Sequence, residues 1–159
     1  MVKESKKMAV ELTPNGTRGA KMPRMPRPIA KVMFRFLVSP ITRLMGGKVL
    51  TLFTVGSKSG RTHEVDLGWW PDMDNRWLIV ASNNGEANHP AWYYNLARNP
   101  DKVWIKVDGR KLKVRSESLR GGERETKFNE IVAIAPSYGD YRRKTDREIP
   151  IIRLTAEPE

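Results

Sequence analysis

Val49-Leu50-Thr51-Leu52-Phe53-Thr54-Val55-Gly56-Ser57-Lys58-Ser59-Gly60-Arg61-Thr62-His63-Glu64-Val65-Asp66-Leu67-Gly68-Trp69-Trp70 decides the fold. Val49 to Val55 is β-branched and apolar, which suits a strand. Gly56 to Gly60 has the composition of a turn. Glu64 to Trp70 alternates and reads as the return strand, ended by Pro71-Asp72. The unit is therefore an antiparallel pair, and the rest of the chain continues in that style. Trp77 to Ala81 reads as a third strand, broken by Asn83-Asn84-Gly85. A helix is expected over Ala91 to Ala97, with Asn88 as its cap, Pro90 where an early proline is tolerated, and Asn99-Pro100 as its stop. Val103-Ile105-Val107 and Leu112-Val114 flank Asp108-Gly109, a hairpin signal. Glu123 to Ala135 has helical spacing, and Ile149 to Leu154 reads as the last strand. This order lacks the regular βαβ alternation of a parallel sheet. A mainly β, α+β chain folded as a small antiparallel barrel with peripheral helices fits it.

Upstream of the barrel domain, residues 48–159, the character changes. Residues 29–47 read as an amphipathic helical segment. Ile29, Val32, Met33, Phe36 and Leu37 fall on one side, Lys31 and Arg35 on another, and Ile41, Leu44 and Met45 follow Pro40 before Gly46-Gly47. Residues 1–28 read as a basic, flexible arm, and the prolines between Met22 and Pro28 speak against a helix there. The net charge of +11 is concentrated in this region: residues 1–48 carry eleven Lys and Arg against Glu4 and Glu11. Such a segment is either a solvated tail or a contact for an anionic surface, membrane or nucleic acid. Nothing resembles a secretory signal, and no run of about 18 apolar residues exists. The expected location is the cytoplasm, with the inner face of the membrane as its edge.

Several chemistries are excluded at once. There is no cysteine and there are only two histidines, His63 and His89, so neither a thiolate nor a His-rich metal site is expected. No phosphate loop, dinucleotide fingerprint or nucleophile elbow is present. A bound cofactor that carries the hard chemistry suits such a chain. Two segments could receive it. In the turn from Gly56 to His63, backbone N–H groups can converge, Ser57, Ser59 and Thr62 add hydroxyls, and Lys58 and Arg61 add charge, as a phosphate or carboxylate requires. The segment from Ala81 to Leu96 leaves a strand through a polar corner and enters a helix. Such a junction offers donors to a polar ring, while Trp92 and Tyr93 read either as ring contacts or as core.

Gly56-Ser57-Lys58-Ser59-Gly60-Arg61, Ala81-Ser82-Asn83-Asn84-Gly85, and His89-Pro90-Ala91-Trp92-Tyr93-Tyr94-Asn95-Leu96 with Asn99-Pro100 together resemble the deazaflavin-dependent nitroreductase family. So does the tail, Pro136-Ser137-Tyr138-Gly139-Asp140-Tyr141 with Thr145-Asp146-Arg147-Glu148-Ile149-Pro150. The resemblance covers roughly residues 45 to 155. It implies a split β-barrel of the FMN-binding-protein type that holds coenzyme F420 in a groove, in preference to FMN. By position, Lys58, Ser59, Gly60, Arg61 and His63 would meet the phosphate and oligoglutamate tail. Ala81, Ser82, Asn83 and Asn84 would line the deazaflavin, and Pro90, Ala91, Trp92 and Asn95 would close the other side. Ser82, Tyr138 and Tyr141 would face the substrate as catalytic residues.

The sequence departs from the family at three places. Ser57 is often basic there, Asn83 stands where some members have Lys, and a third tail aromatic is replaced near Lys144. The implied activity is hydride transfer from reduced deazaflavin to a small electron-poor acceptor, a quinone or nitro compound. Pairing through a sheet face to a homodimer is a further expectation. The alternatives are a non-catalytic lipid- or flavin-binding split barrel and a basic nucleic-acid-binding barrel. The second is disfavoured because the charge and the aromatics lie in different parts of the chain.

Overall fold

The computed structural model describes residues 9–21, 23, 25–33, 36 and 48–158. Its framework is one seven-stranded antiparallel sheet in the order β2-β1-β5-β6-β7-β4-β3. The strands are β1 (Val49–Val55), β2 (Thr62–Gly68), β3 (Trp70–Pro71), β4 (Arg76–Val80), β5 (Trp104–Val107), β6 (Arg110–Ser118) and β7 (Ile151–Ala156). β1 and β2 pair from Val49↔Gly68 to Val55↔Thr62, so the return strand starts two residues before the alternation suggested. At Asp108 and Gly109 both φ angles are positive, as a tight two-residue hairpin requires.

β6 is the strand that splits the barrel. Its residues 110–113 pair with β5, and its residues 114–118 pair with β7. One long strand thus serves two half-sheets. The sheet curls until β2 approaches β4. The concave side is filled by Leu50, Leu52, Ile79, Ile105, Val107, Val114, Ile152 and Leu154, every second residue of their strands. The expected mainly β split barrel with peripheral helices is what forms.

Among the described residues, four α-helices surround the sheet. α1 (Arg27–Met33) starts inside the proline run that composition spoke against. Pro28 lies in its first turn, where a missing N–H costs nothing. The rest of the expected helix beyond Met33, Phe36 aside, and the apolar turn with Ile41, Leu44 and Met45, lie outside the described residues. α2 (Ala91–Arg98) packs Trp92, Tyr93 and Leu96 into the barrel core; its cap is Pro90 rather than Asn88. α3 (Gly121–Ile134) and α4 (Ser137–Lys144) form a second, smaller core with Leu78, Val80, Ile149 and Ile151 on the other face of the sheet. The tail motif was not read as a helix. Pro136 and Gly139 are both poor helix residues, yet Pro136 precedes α4, and Gly139 lets it approach Val132 closely.

Residues 9–20 belong to the stretch whose composition reads as a flexible arm. They run extended along the barrel as a strap. Val10 is buried, and Ser118 N–H donates to Ala9 O at 3.4 Å. Gly16 N–H donates to Ala87 O at 2.8 Å and Ala20 N–H to Gly85 O at 2.9 Å. The Tyr93 hydroxyl donates to Glu11 O and accepts from Thr13 N–H. Polar, Gly-rich sequence lacks a core of its own, but here its backbone groups find partners on the folded barrel.

Phe128 is the main apolar anchor of α3, whose buried residues are otherwise few, and Arg124 and Arg142 lie over its ring at 5.7 and 5.0 Å. Phe128→Ala is expected to cost about 3–5 kcal/mol in urea unfolding. A loss under about 1 kcal/mol would show that α3 is held by something else.

Candidate functional site

The turn between β1 and β2 is a closed device. Gly56 N–H donates to Arg61 O at 2.7 Å and Gly60 N–H to Gly56 O at 3.0 Å. Arg61 N–H donates to Ser59 Oγ at 3.2 Å, and Ser57 N–H to Asn95 Oδ1 at 3.0 Å. Four backbone donors expected to converge on an anion are therefore spent within the fold. What the turn presents outward is its side chains. Lys58, Ser59 and Arg61 are exposed, as is Gly60, whose φ is +68°. Neither Lys58 nor Arg61 makes an ion pair among the described residues. His63 is half-buried, with Nε2 3.4 Å from Ser59 Oγ. Gly56 cannot carry a side chain unless its neighbours move, since a Cβ would lie 2.4 Å from Ser59 Oγ and 2.9 Å from His63 Nε2.

The corner after β4 is held from behind. Arg147 is buried, and its guanidinium donates to Ala81 O (2.9 Å), Ser82 O (2.8 Å) and Glu86 O (3.1 Å). It also meets His89 Nδ1 at 3.0 Å. A guanidinium only donates, so Nδ1 of His89 must be bare, and Nε2–H donates to Thr13 O at 2.8 Å. Asn83 and Asn84 take left-handed backbone, with φ of 45° and 56°, which asparagine tolerates. The Asn83 amide donates to Glu86 Oε2 and Asn88 O, so it turns into the corner. Asn84 is exposed. Ser82 is half-buried, and its hydroxyl has no partner among the described residues.

One helix ties corner to turn. α2 begins just after the corner, and Asn95, 7% exposed, fastens the helix twice to the end of β1 and the turn: its Oδ1 accepts from Ser57 N–H, and its Nδ2 donates to Thr54 Oγ1 at 3.1 Å. Asn99 Nδ2 adds a bond to Val55 O at 3.1 Å. An eight-residue helix spans about 12 Å, so turn and corner are near neighbours. The antiparallel pairings β1–β5, β5–β6, β6–β7 and β7–β4 reverse direction four times, so β1 and β4 leave the sheet at the same end.

The remaining sequence candidates fall into place around this frame. Ala81 and Trp92 are core residues, at 0% and 8% exposure, and Asn95 is a tie whose amide is engaged at both ends. Pro90 is half-buried and Ala91 exposed at the mouth of α2. Tyr138 and Tyr141 sit edge to face at 5.6 Å, and Tyr138 meets Trp70 at 5.7 Å. Both are half-buried against the second core, and burial pushes the Tyr138 phenol up. Tyr141 backbone lies against Gly85, where a Cβ would come within 3.0 Å of Tyr141 O. Two concavities elsewhere, one beside Trp70, Leu78 and Ile131 and one beside Glu117, Glu123 and Arg153, contain none of these residues. Arg147 and His89 stand in the family-like motifs without an assigned role there, and residues 9–20 fall in the stretch expected to be a flexible basic arm. A faint signal existed: Thr145, Arg147 and Ile149 alternate with Asp146 and Glu148, and all three are buried.

A family model described as F420H(2)-dependent quinone reductase matches residues 27–156. The chain belongs to that family. The F420H(2)-dependent quinone reductase of Mycobacterium tuberculosis (strain ATCC 25618 / H37Rv) is 34% identical over 109 residues, 67% of this chain and 72% of that protein. A solved F420-H2 dependent reductase, FDR-A, superposes with a TM-score of 0.59 at 32% identity, covering 67% of this chain and 93% of that one. A second structure, described as a domain-swapped dimer, gives 0.59 at 28% identity over 76% of this chain and 97% of that one. The quinone reductase family member is thus an oxidoreductase, and coenzyme F420 is its hydride donor. The strap of residues 9–20 precedes the part matched by the family model.

Burial, and then the charge of Arg147, hold the His89 pKa below its usual 6.5. An unfolded chain takes up this proton first. The stability that follows from neutral His89 is therefore full above pH 6.5 and is lost as pH falls through the depressed folded value. The urea midpoint should fall between pH 7.5 and 5.5 in the reductase and fall less in His89→Gln. An equal fall in both would place the acid sensitivity elsewhere.

Proposed function

We propose that the basic turn and the strand-to-helix corner form one open groove that receives F420, and that the acceptor is a quinone. The observation that carries this is the Asn95 tie: it fastens α2, which starts at the corner, to the turn, while Lys58 and Arg61 stay exposed and without carboxylate partners among the described residues. The residues fit the coenzyme. Its phosphate and oligoglutamate tail are anionic, and two exposed cations on a rigid turn suit them. With the backbone donors spent, charge from Lys58 and Arg61 would hold the tail, with Ser59, Gly60 and His63 around it. Asn83 and Asn84 would border the ring by their left-handed backbone, with Ser82, Pro90 and Ala91 beside it. Ala81, Trp92 and Asn95 would serve as the wall behind.

When bound, the reduced deazaflavin supplies a hydride. The chain's own contribution is to fix the groove so that reacting groups meet in one geometry, which replaces a costly encounter. The Ser82 hydroxyl, with no partner among the described residues, is free to donate to an acceptor oxygen as negative charge develops there. Tyr138 and Tyr141, on α4 beside the corner, would bound the acceptor with their rings, and the raised Tyr138 pKa keeps that phenol protonated at neutral pH. A nitro compound is a second acceptor of the same electron-poor class. Lys111 and Lys113 cover the rings of Phe53 and Trp104 at 4.4 and 5.8 Å, which leaves those rings poorly placed to stack nucleobases.

Two wider features belong to the same reading. No described helix is long and apolar enough to cross a membrane. α1 nevertheless exposes Ile29, Val32 and Met33 beside Lys31, with Phe36 exposed just beyond, which suits peripheral contact of a cytoplasmic enzyme with an anionic bilayer that stores lipophilic quinones. The likeness to a domain-swapped dimer supports a homodimer.

Lys58→Ala with Arg61→Ala should weaken oxidised F420 at least about tenfold, since charged hydrogen bonds each contribute about 1.5–3 kcal/mol; quenching of tryptophan fluorescence reads this. Unchanged binding would show that the turn is misassigned. Ser82→Ala should lower kcat for menadione reduction about tenfold or more with little change in coenzyme affinity. An unaltered kcat would remove the hydroxyl from the reaction.

A further inference from the structure

We propose that Arg147 is a positioning residue of the coenzyme groove and that the N-terminal strap acts through it, setting the shape of the corner from Ala81 to Glu86. This rests on the assignment of that corner to the groove. Arg147 touches the corner only from behind. Its three carbonyl partners are Ala81, Ser82 and Glu86, so one planar group fixes the beginning and the end of the turn on which Ser82, Asn83 and Asn84 sit. It is 4% exposed and makes no ion pair among the described residues; neutral acceptors alone satisfy it.

The strap completes the device. His89 receives the guanidinium at Nδ1 and passes the contact to Thr13 O through Nε2–H. The His89 backbone N–H donates to Asn15 Oδ1 at 3.0 Å. Thr17 N–H binds Asp146 Oδ1 at 2.8 Å, and the Thr145 hydroxyl donates to Arg18 O at 2.8 Å, which pins the segment that carries Arg147. The Thr17 hydroxyl, and after it the backbone N–H groups of Arg18 and Thr17, hold the Asp146 carboxyl at about 2, below its usual value. Gly19 shows how close the approach is. A Cβ there would lie 2.3 Å from Ala87 N, 2.6 Å from the Glu86 carbonyl carbon and 2.8 Å from Gly85 O, all backbone. The corner is clasped between strap and guanidinium, and the strap lies outside the stretch that the family model covers.

Two variants of the full chain test it. Arg147→Lys keeps the charge but cannot span three carbonyls. Gly19→Ala drives the strap off the corner without altering any groove residue. Both should raise the Kd for oxidised F420, read by tryptophan quenching on the folded protein, about tenfold. A purely structural role would lower the thermal midpoint and leave the Kd of the folded protein within about twofold, and that result overturns the proposal. If Arg147→Lys does not fold, Gly19→Ala decides alone. Lys58→Ala with Arg61→Ala is measured alongside. If it loses F420 while the other two bind normally, the groove stands and the positioning role fails. If all three bind normally, the groove is misplaced and the proposal falls with it.

Discussion

A buried guanidinium that makes no ion pair among the described residues is the constraint on which the proposed coenzyme groove depends. Desolvating Arg147 is costly, and the fold offsets that cost with three backbone carbonyls and a histidine lone pair. The arrangement works only if all four acceptors converge. It therefore dictates the path of the chain from Ala81 to His89, and with it the point at which α2 begins. From there Asn95 sets the height of the β1–β2 turn. A single cation near the end of the chain thus governs the distance between two segments that lie roughly sixty and ninety residues before it.

The barrel supplies the rigid background. β6 belongs to both half-sheets, so the curl cannot open without breaking its pairing with β5 or β7, and β4 and β7 carry residues of both cores. α2 fills one core with Trp92, Tyr93 and Leu96 while its polar positions face the turn. Packing and site-building are done by the same eight residues. Aromatic side chains that look suited to a cofactor are, in this helix, its anchors.

What the sequence made legible was local. The β1–turn–β2 unit follows from alternation and two glycines, and Asp108-Gly109 announces its hairpin, because each signal is decided by neighbours in the chain. The basic side chains Lys58 and Arg61 were readable for the same reason. Legibility ended where partners are distant. The donors of the turn were expected to serve an anion, but Asn95, 38 residues away, takes one of them. The strap reads as an arm because its partners lie from 65 to 129 residues further on, at Gly85, His89 and Asp146. α4 was missed since Pro136 and Gly139 mimic a loop, and only Val132 explains the glycine.

The central claim is that turn and corner are two walls of one coenzyme site. Hydrogen–deuterium exchange with and without oxidised F420 tests it most directly. The account predicts that residues 56–63 and 81–86 gain protection together at a common coenzyme concentration. Protection of only one of these segments, or protection confined to the hollow between β3 and α3, would contradict it.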